Sequence, residues 1–529
     1  MPEHALWHSP AAMLLSFNTA GPCFPDEHYM LPPERRLGRI MELIERGKYF
    51  TLHAGRQTGK TTSADWLVER YNGGERFRAL RISLETARDQ PDPARAVVPI
   101  LKAFDRAVLY TLAELGVPAA RDRLAASPET AVLDYLQDLA ARSPLPLVVL
   151  IDEVDCLVGQ TMVLFLSQVR DGYISRRRIP FPHSVVLIGQ RNVRDYVLTK
   201  EDRNAVAWLG SASPFNIMAE ATTLAPFEEP EVSELLAQHT AQTGQRFEPE
   251  AAERIYALSQ GQPWLVSALA DQIVDRDLRD RSIPVTAAHV DAAKETIILE
   301  RRTHIDSLVA KLREPRLQRI IDPMLAGDRL SADVLDDDVA YARGLGLIRV
   351  VRGEYVIANP IYREVIPRAL TYVQQHSIHE LTEWYLRPDG ALDLPKLMAA
   401  WQTFWRKDGH LAAEGFSYRE AGPHLMLMAF LQRIINGGGR VEREYGLGRG
   451  ALDLLVEWRG ARHAIEVKLR RDTETEADAL EQVTRYLDAS GLDEGWLVMF
   501  DLRSKLPWEQ RLTTRAVETG GKRVYVVGC

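Results

Sequence analysis

Three groups of residues in this sequence have the types and spacing to do chemistry. The first is "HAGRQTGKTT", residues 53–62, in which Ala54, Gly59, Lys60 and Thr61 fit a spacing of Ala or Gly, four residues, then Gly-Lys-Thr. A loop with so little side-chain bulk lets successive backbone N–H groups point at phosphate oxygens, and a helix N-terminus behind it adds partial positive charge. Lys60 has the reach for β- and γ-phosphates, and the Thr61 hydroxyl suits Mg²⁺. Gly55 and Thr62 are the further phosphate-contacting positions. Ala54 stands where the stricter form has Gly.

The second group closes "LPLVVLIDEVD", residues 145–155, an apolar run ending in Asp152 and Glu153. Asp152 is expected to hold Mg²⁺. Glu153 is expected to orient and deprotonate an attacking water, which requires a carboxylate near the γ-phosphate. ATP and Mg²⁺ are the cofactors these two groups imply. A further run, "SVVLIGQRN", ends in Gln190, Arg191 and Asn192. One of the three is a candidate polar sensor, Asn192 among them, with ordinary strand-end capping as the alternative. Arg176, Arg177 and Arg178 read as a solvated basic turn, with an arginine finger for a neighbouring subunit as the alternative.

The third group lies in "GRGALDLLVEWRGARHAIEVKLRR", residues 448–471, which reads as a β-hairpin. Gly460-Ala461 suits a two-residue type II′ turn. That register sets Val456 opposite Ile465, Leu455 opposite Glu466 and Asp453 opposite Lys468. Alternation then gathers Asp453, Glu466 and Lys468 on one face, with Glu457 nearer the turn. Leu452, Leu454, Val456, Ile465, Val467 and Leu469 fall on the other face. Two carboxylates so placed suit Mg²⁺, a hard cation that prefers oxygen and lowers the pKa of a bound water. The Lys468 ammonium is suited to stabilising hydroxide or phosphate charge. The competing reading is an exposed sheet face carrying cross-strand ion pairs. Downstream, "ADALEQVTRYLDASG" sets Gln482 and Tyr486 on one helix face. Upstream, Glu420 precedes a helix starting near Pro423, either as an extra carboxylate or as support for the helix N-terminus.

Positioning these groups takes several elements. Up to about residue 225 short apolar runs alternate with amphipathic stretches, the pattern of a mostly parallel sheet covered by helices. From 227 to 300 "EPEVSELLAQHTAQTG" and "EPEAAERIYALSQG" read as helices with Pro/Glu starts. Residues 301–375 read as helices, a short hairpin about Arg352-Gly353 and another helix, an order that suits a winged helix. The segment 376–418 is a Trp-containing connector. From 419 to the end come a helix, three strands, a helix and further β/α pieces. The expected domains are 1–226, 227–300, 301–375, 376–418 and 419–529, in an α/β multidomain fold.

Composition narrows the class. A chain of 529 residues exceeds one core. The apolar fraction of 46% argues against a wholly disordered chain, and no apolar run approaches the ~18 residues of a membrane span. The net charge of −8 carries no global sign of nucleic-acid binding. Any such surface is local, the candidate being "RRTHIDSLVAKLREPRLQR", residues 301–319. Cys23, Cys156 and Cys529 are scattered, so neither disulfides nor a cysteine-based zinc site is implied. No basic segment followed by an apolar stretch opens the sequence, and a cytoplasmic protein is expected.

Taken with "FNTAGPCFPDEHYMLPPERRL", "RNVRDY", "SPFNI" and "LSQGQPWLVSALA", these motifs resemble a bacterial family of AAA-like P-loop ATPases close to the archaeal-type and STAND-type ATPases. Some of its members end in a PD-(D/E)XK nuclease-like domain. The resemblance covers most of the chain. It implies that His28 and Tyr29 lie near the adenine and that Gly261-Gln262-Pro263 of a helical lid faces the nucleotide. It also supports the winged helix, and it likens Asp453, Glu466-x-Lys468 and the Gln482…Tyr486 pair to the catalytic order of restriction-endonuclease-like α/β domains. Asn192 departs from the Asp often found there. The expected function is an ATP-binding, ATP-hydrolysing protein coupled to a Mg²⁺-dependent nuclease. Nucleic acid is the expected partner, DNA rather than RNA. Homo-oligomerisation through the ATPase domain is expected, and membrane association is not. The alternative is a non-catalytic, STAND-like nucleotide switch whose C-terminal domain binds nucleic acid or a protein.

Overall fold

The structure, a computed structural model, describes residues 14–117, 127–190, 218–300, 302–325, 330–331, 337–377, 385–409, 422–435, 439–447, 450–469, 475–501 and 507–529. The chain forms two compact units: Met1–His304 with Val339–Ile348, and Ile305–Asp338 with Arg349–Cys529.

In the first unit, β1 (Tyr49–His53), β2 (Arg78–Ser83), β3 (Leu147–Asp152), β4 (Ser184–Gly189) and β5 (Met218–Thr222) form one sheet in the order β2-β3-β4-β1-β5. Each of its pairings is parallel. Parallel neighbours need long crossovers, and helices supply them. The helix α1 (Glu34–Glu45) precedes β1, and α2 (Lys60–Asn72) follows it. Between β2 and β3 lie α3 (Pro93–Thr111) and α4 (Ala131–Arg142), and α5 (Gly159–Ser175) leads to β4. Strands β3 and β4 are buried along their whole length, as their unbroken apolar runs require. Alternation divides them between two cores. Val148 and Leu150 join Leu37, Ile40 and Leu67 on one side. Val149 and Ile151 join Phe104, Tyr135 and Phe165 on the other. Because β4 lies between β1 and β3, the C-terminal ends of all three meet along one edge, where open α/β sheets take ligands.

Four helices follow: α6 (Glu229–Thr243), α7 (Pro249–Ser259), α8 (Pro263–Asp271) and α9 (Ala287–Glu300). Their starts carry the expected signals. Glu228 and Glu231 form a reciprocal capping box at α6, and Pro occupies the first turn of α6, α7 and α8.

The chain enters the second unit through α10 (Thr303–Lys311), followed by α11 (Pro315–Leu325). Then come β6 (Leu330–Ser331), α12 (Asp337–Gly344), which from Val339 onward belongs to the first unit, β7 (Ile348–Val351) and β8 (Glu354–Ile357), with the small sheet ordered β6-β8-β7. The turn at Arg352-Gly353 has φ of 52° and 82°. Helices α13 (Pro360–Ser377), α14 (Leu394–Phe404) and α15 (Gly422–Ile435) lead to a six-stranded sheet. Its strands are β9 (Gly439–Leu447), β10 (Gly450–Trp458), β11 (Ala461–Leu469), β12 (Glu494–Phe500), β13 (Thr514–Thr519) and β14 (Lys522–Gly528), ordered β13-β14-β12-β11-β10-β9. The first three form an antiparallel meander. Helix α16 (Thr475–Ser490) then crosses over so that β12 pairs parallel to β11.

The hairpin register differs from the sequence expectation. The turn residues are Arg459 and Gly460, with φ of 48° and 85°, so Gly occupies the second central position of a type I′ turn. Trp458 pairs with Ala461, Leu455 with Ala464 and Leu454 with Ile465. Leu455 therefore does not face Glu466, and Asp453 does not face Lys468. The slip is two residues, and a two-residue slip preserves which side chains share a face.

Both faces of this sheet are covered. Leu455 and Ala464, on the face expected to be charged, pack with Ala479, Val483 and Leu487 of α16. On the other face Val456, Ile465 and Val467 are buried, and Phe500 packs against Trp401 and Trp405 at 6.1 and 4.8 Å.

Candidate nucleotide site and candidate metal site

Strand β1 delivers the chain into the phosphate loop, and Gly59 caps α2 in a left-handed conformation at φ 87°, where a side chain is disfavoured. Lys60 lies back across the loop, its Nζ donating to the carbonyls of Ala54 at 2.8 Å and Gly55 at 2.7 Å. Burial pulls the Lys60 pKa down to about 8, against the opposing pull of Asp152, Asp155 and Glu153. Thr61 Oγ1 donates to Asp152 Oδ2 at 3.1 Å, joining the loop to the end of β3. Asp152 is buried, which raises its pKa, while Arg81 at 3.3 Å acts in the opposite sense. A hydroxyl and a carboxylate converging on one point are the oxygen donors a Mg²⁺ beside a polyphosphate uses.

Glu153 follows in a left-handed conformation, φ 58°, half-buried. Its pKa is raised by burial and then by the charge of Asp152. Its Oε2 lies 3.5 Å from Arg88 Nη2 and 3.6 Å from Cys156 Sγ. Arg88 also holds Glu85 at 2.6 Å, so the Glu85, Glu153 and Cys156 group already has a cation.

A cavity opens beside the loop, lined by Tyr29, Gln57, Gly59, Thr62, Phe227 and Trp264 among others. Tyr29 is fixed there, its hydroxyl donating to Gln242 Oε1 at 2.6 Å and lying 3.1 Å from His239 Nδ1. His28 instead accepts the Phe24 N–H through Nδ1 at 3.1 Å. Gln262 donates to the Gln57 carbonyl at 3.4 Å, and Pro263 joins the cavity wall. The backbone N–H of Gln190 donates to Asp155 Oδ2 at 3.4 Å. Asn192 and Arg191 lie outside the described residues, as does Glu420. Arg176 donates to the carbonyls of Gly47 and His183, which precede β1 and β4, and covers the Tyr173 ring at 4.0 Å. It therefore sits at the edge of the sheet opposite its own phosphate loop. Trp264 carries no spacing signal. Its place on the wall follows from its indole N–H donating to the Thr19 carbonyl at 2.8 Å and from stacking on His304 at 4.8 Å.

In the second unit Asp453 and Glu466 come one step beyond the regular Leu454–Ile465 pair. Val467 N–H donates to Asp453 Oδ2 at 2.8 Å, and Asp453 N–H donates to Glu466 Oε2 at 3.3 Å. Lys468 Nζ lies 2.7 Å from Glu466 Oε1. Glu466 is 0% exposed, which excludes a solvated sheet face. Burial first, and the neighbouring Asp453 charge second, push its pKa far above the usual carboxylate range, with Lys468 opposing. Tyr486 of α16 is buried in the same cluster as Leu455 and Ala464, and Gln482 is half-buried one turn before it. Glu457 is half-buried opposite Arg462 near the turn.

The basic stretch at 301–319 is largely neutralised within each unit. Arg302 meets Asp271 and Glu300 at 3.4 and 3.1 Å in the first. In the second, Lys311 meets Glu314 at 2.9 Å, Arg316 meets Asp338 at 2.6 Å, and Arg319 shares that carboxylate. Among the described residues, no helix is long and apolar enough to cross a membrane.

Residues 44–197 match a family described as an AAA domain. Together with the parallel sheet and the joined Thr61 and Asp152, this makes the region an AAA-type P-loop ATPase domain, a class that binds ATP. Within the second unit, residues 396–504 match a family described as a domain of unknown function (DUF8371). No curated protein matches the chain. Similar solved structures include a Walker-type ATPase of Pyrococcus abyssi, 14% identical with a TM-score of 0.47, covering 66% of this chain and 99% of its own. The Aeropyrum pernix ORC1 protein in complex with DNA is 17% identical with a TM-score of 0.35, covering 66% and 94%. The Thermotoga maritima RuvB Holliday junction branch migration motor is 14% identical with a TM-score of 0.31, covering 66% and 95%.

Proposed function

We propose that this protein hydrolyses ATP at the AAA-type domain and cleaves nucleic acid, DNA in preference to RNA, at the C-terminal hairpin. For ATP hydrolysis the supporting observation is the Thr61–Asp152 contact at the loop that Lys60 spans. Lys60 would exchange the Ala54 and Gly55 carbonyls for phosphate oxygens, with Gly55, Gly59 and Thr62 lining the polyphosphate and Tyr29 the base. Thr61 and Asp152 would hold Mg²⁺, which when bound supplies charge neutralisation to the phosphates. Glu153, with its raised proton affinity, suits the acceptance of a proton from water.

For cleavage, the observation that carries the reading is the buried Glu466 with the half-buried Asp453 and Lys468 beside it. A fully buried Glu466 with a second, half-buried carboxylate beside it is costly without a cation, and among the described residues Lys468 is the cation paired with Glu466. Asp453 and Glu466 would hold Mg²⁺, which when bound polarises the phosphodiester and acidifies water. Lys468 and Gln482 would orient that water and the phosphate. The order of helix, three-stranded meander, crossover helix and parallel strand supports a PD-(D/E)XK nuclease-like domain over 419–529. Residues 227–300 would act as the lid and 301–375 as a winged helix, with assembly of further copies through the ATPase domain. The test is cleavage of single- and double-stranded DNA and RNA with Mg²⁺ or Mn²⁺, with and without ATP. Wild type is compared with Lys60→Ala and Glu466→Ala. Absence of cleavage by wild type under all conditions rejects the nuclease reading.

One observation favours a second reading, a nucleotide switch whose C-terminal domain binds without cutting. Asp453 and Glu466 each accept a backbone N–H, which is also what a structural carboxylate does. Nucleotide-dependent binding without cleavage distinguishes it.

A further inference from the structure

Arg36 lies in the first turn of α1 and lines the cavity beside Gln57, Gly59 and Thr62. Its Nη2 donates to the carbonyls of Thr58, at 3.3 Å, and Ala225. Its Cζ lies 5.0 Å over the Phe227 ring. Nη1 is 3.8 Å from where a Cβ on Gly59 would stand, and Nε is buried without a hydrogen-bond partner among the described residues. Other arginines of α1 are paired: Arg35 with Glu234 at 2.5 Å, and Arg39 with Glu42 at 2.7 Å. Among the described residues no carboxylate forms an ion pair with Arg36. Burial pulls its pKa down to about 10.

A half-buried guanidinium that faces neutral carbonyls and a ring, with the Glu231 charge acting on it without an ion pair, is poorly compensated for the water it has lost. Its planar fork matches phosphate oxygens in pairs. We infer that Arg36 is a phosphate-contacting residue of the nucleotide site, presenting the Nη1 N–H groups that lie beside Gly59 to a nucleoside di- or triphosphate. The inference rests on the ATP-binding reading of the loop. Arg36 also ties the loop, through Thr58, to the 225–227 segment ahead of α6, so the same side chain would register an occupied site there.

The test uses the full chain, with calorimetric titration of ATP and ADP and thermal unfolding without nucleotide. Arg36→Met is expected to unfold at or above the wild-type temperature, because it removes an unpaired cation. It is expected to weaken ATP and ADP binding about 10- to 100-fold. ATP affinity within threefold of wild type overturns the inference. So does a loss of affinity accompanied by a fall of several degrees without nucleotide, since that marks a purely structural tie. If the Met variant does not fold, Arg36→Gln, which keeps an N–H donor for the Ala225 carbonyl, is judged by the same criteria. Lys60→Ala separates the two levels. Wild type that binds no ATP removes the underlying reading, whereas binding lost in Lys60→Ala but kept in Arg36→Met removes only the role of Arg36.

Discussion

Asp453 and Glu466 take over the main-chain hydrogen bonding where their two strands part. The Asp453 carboxylate accepts the N–H of Val467 at 2.8 Å, and the Glu466 carboxylate accepts the N–H of Asp453 at 3.3 Å. Those bonds fix both carboxylates at adjacent positions of the two strands, with Glu466 fully buried and Asp453 half-buried.

Charge and hydrogen bonding at Asp453 are separable. Asp453→Asn keeps a carbonyl oxygen for Val467 N–H and is expected to stay within about 1 kcal/mol of wild type in denaturant unfolding. Asp453→Ala orphans that N–H and is expected to cost about 1–3 kcal/mol. Both are expected to lose at least about 100-fold in metal-dependent cleavage, or about 2.7 kcal/mol of barrier. Unimpaired cleavage in either would remove Asp453 from the site.

Stability of the metal-free protein should depend on pH through Glu466. Its folded pKa is raised, so the folded state holds a proton the unfolded state releases. That stabilisation is complete below the unfolded carboxylate pKa and is lost as pH rises through the folded one. The slope is at most about −1.4 kcal/mol per pH unit. Glu466→Gln should flatten this part of the profile, as followed by urea midpoints across the range.

Divalent cation should stabilise the wild type by about 2.7 kcal/mol at about 100 times its Kd, and a chelator should reverse the gain. In Asp453→Asn the gain from the C-terminal site should vanish. A gain unchanged in that variant would assign the effect to another site.

At the ATPase domain, Glu153→Gln should bind ATP normally yet hydrolyse it at least about 100-fold more slowly. Thr61→Ala should weaken Mg²⁺-ATP more than metal-free ATP, because it removes the hydroxyl joined to Asp152. Steady-state hydrolysis with nucleotide titration in the presence and absence of Mg²⁺ measures both.

Much of this was legible in residue order. The phosphate loop, the acidic strand end and the parallel sheet follow from local spacing and apolar runs. The shared face of Asp453, Glu466 and Lys468 follows from the two-residue period of a strand, which tolerates a register error of two. The turn itself was not legible, because Arg-Gly and Gly-Ala both offer a glycine. A type I′ turn at Arg459-Gly460 matches the twist of the flanking strands.

What the sequence by itself determined is therefore which groups exist and which of them share a strand face or a helix turn, since those depend only on the geometry of one element. Tertiary structure decided what surrounds them. It covers the face of Glu466 with α16, turns Asp338 onto Arg316 and Arg319 of the basic stretch, and leaves Arg36 among carbonyls beside the loop. Burial and counter-charge come from residues distant along the chain, and only folding brings them within reach.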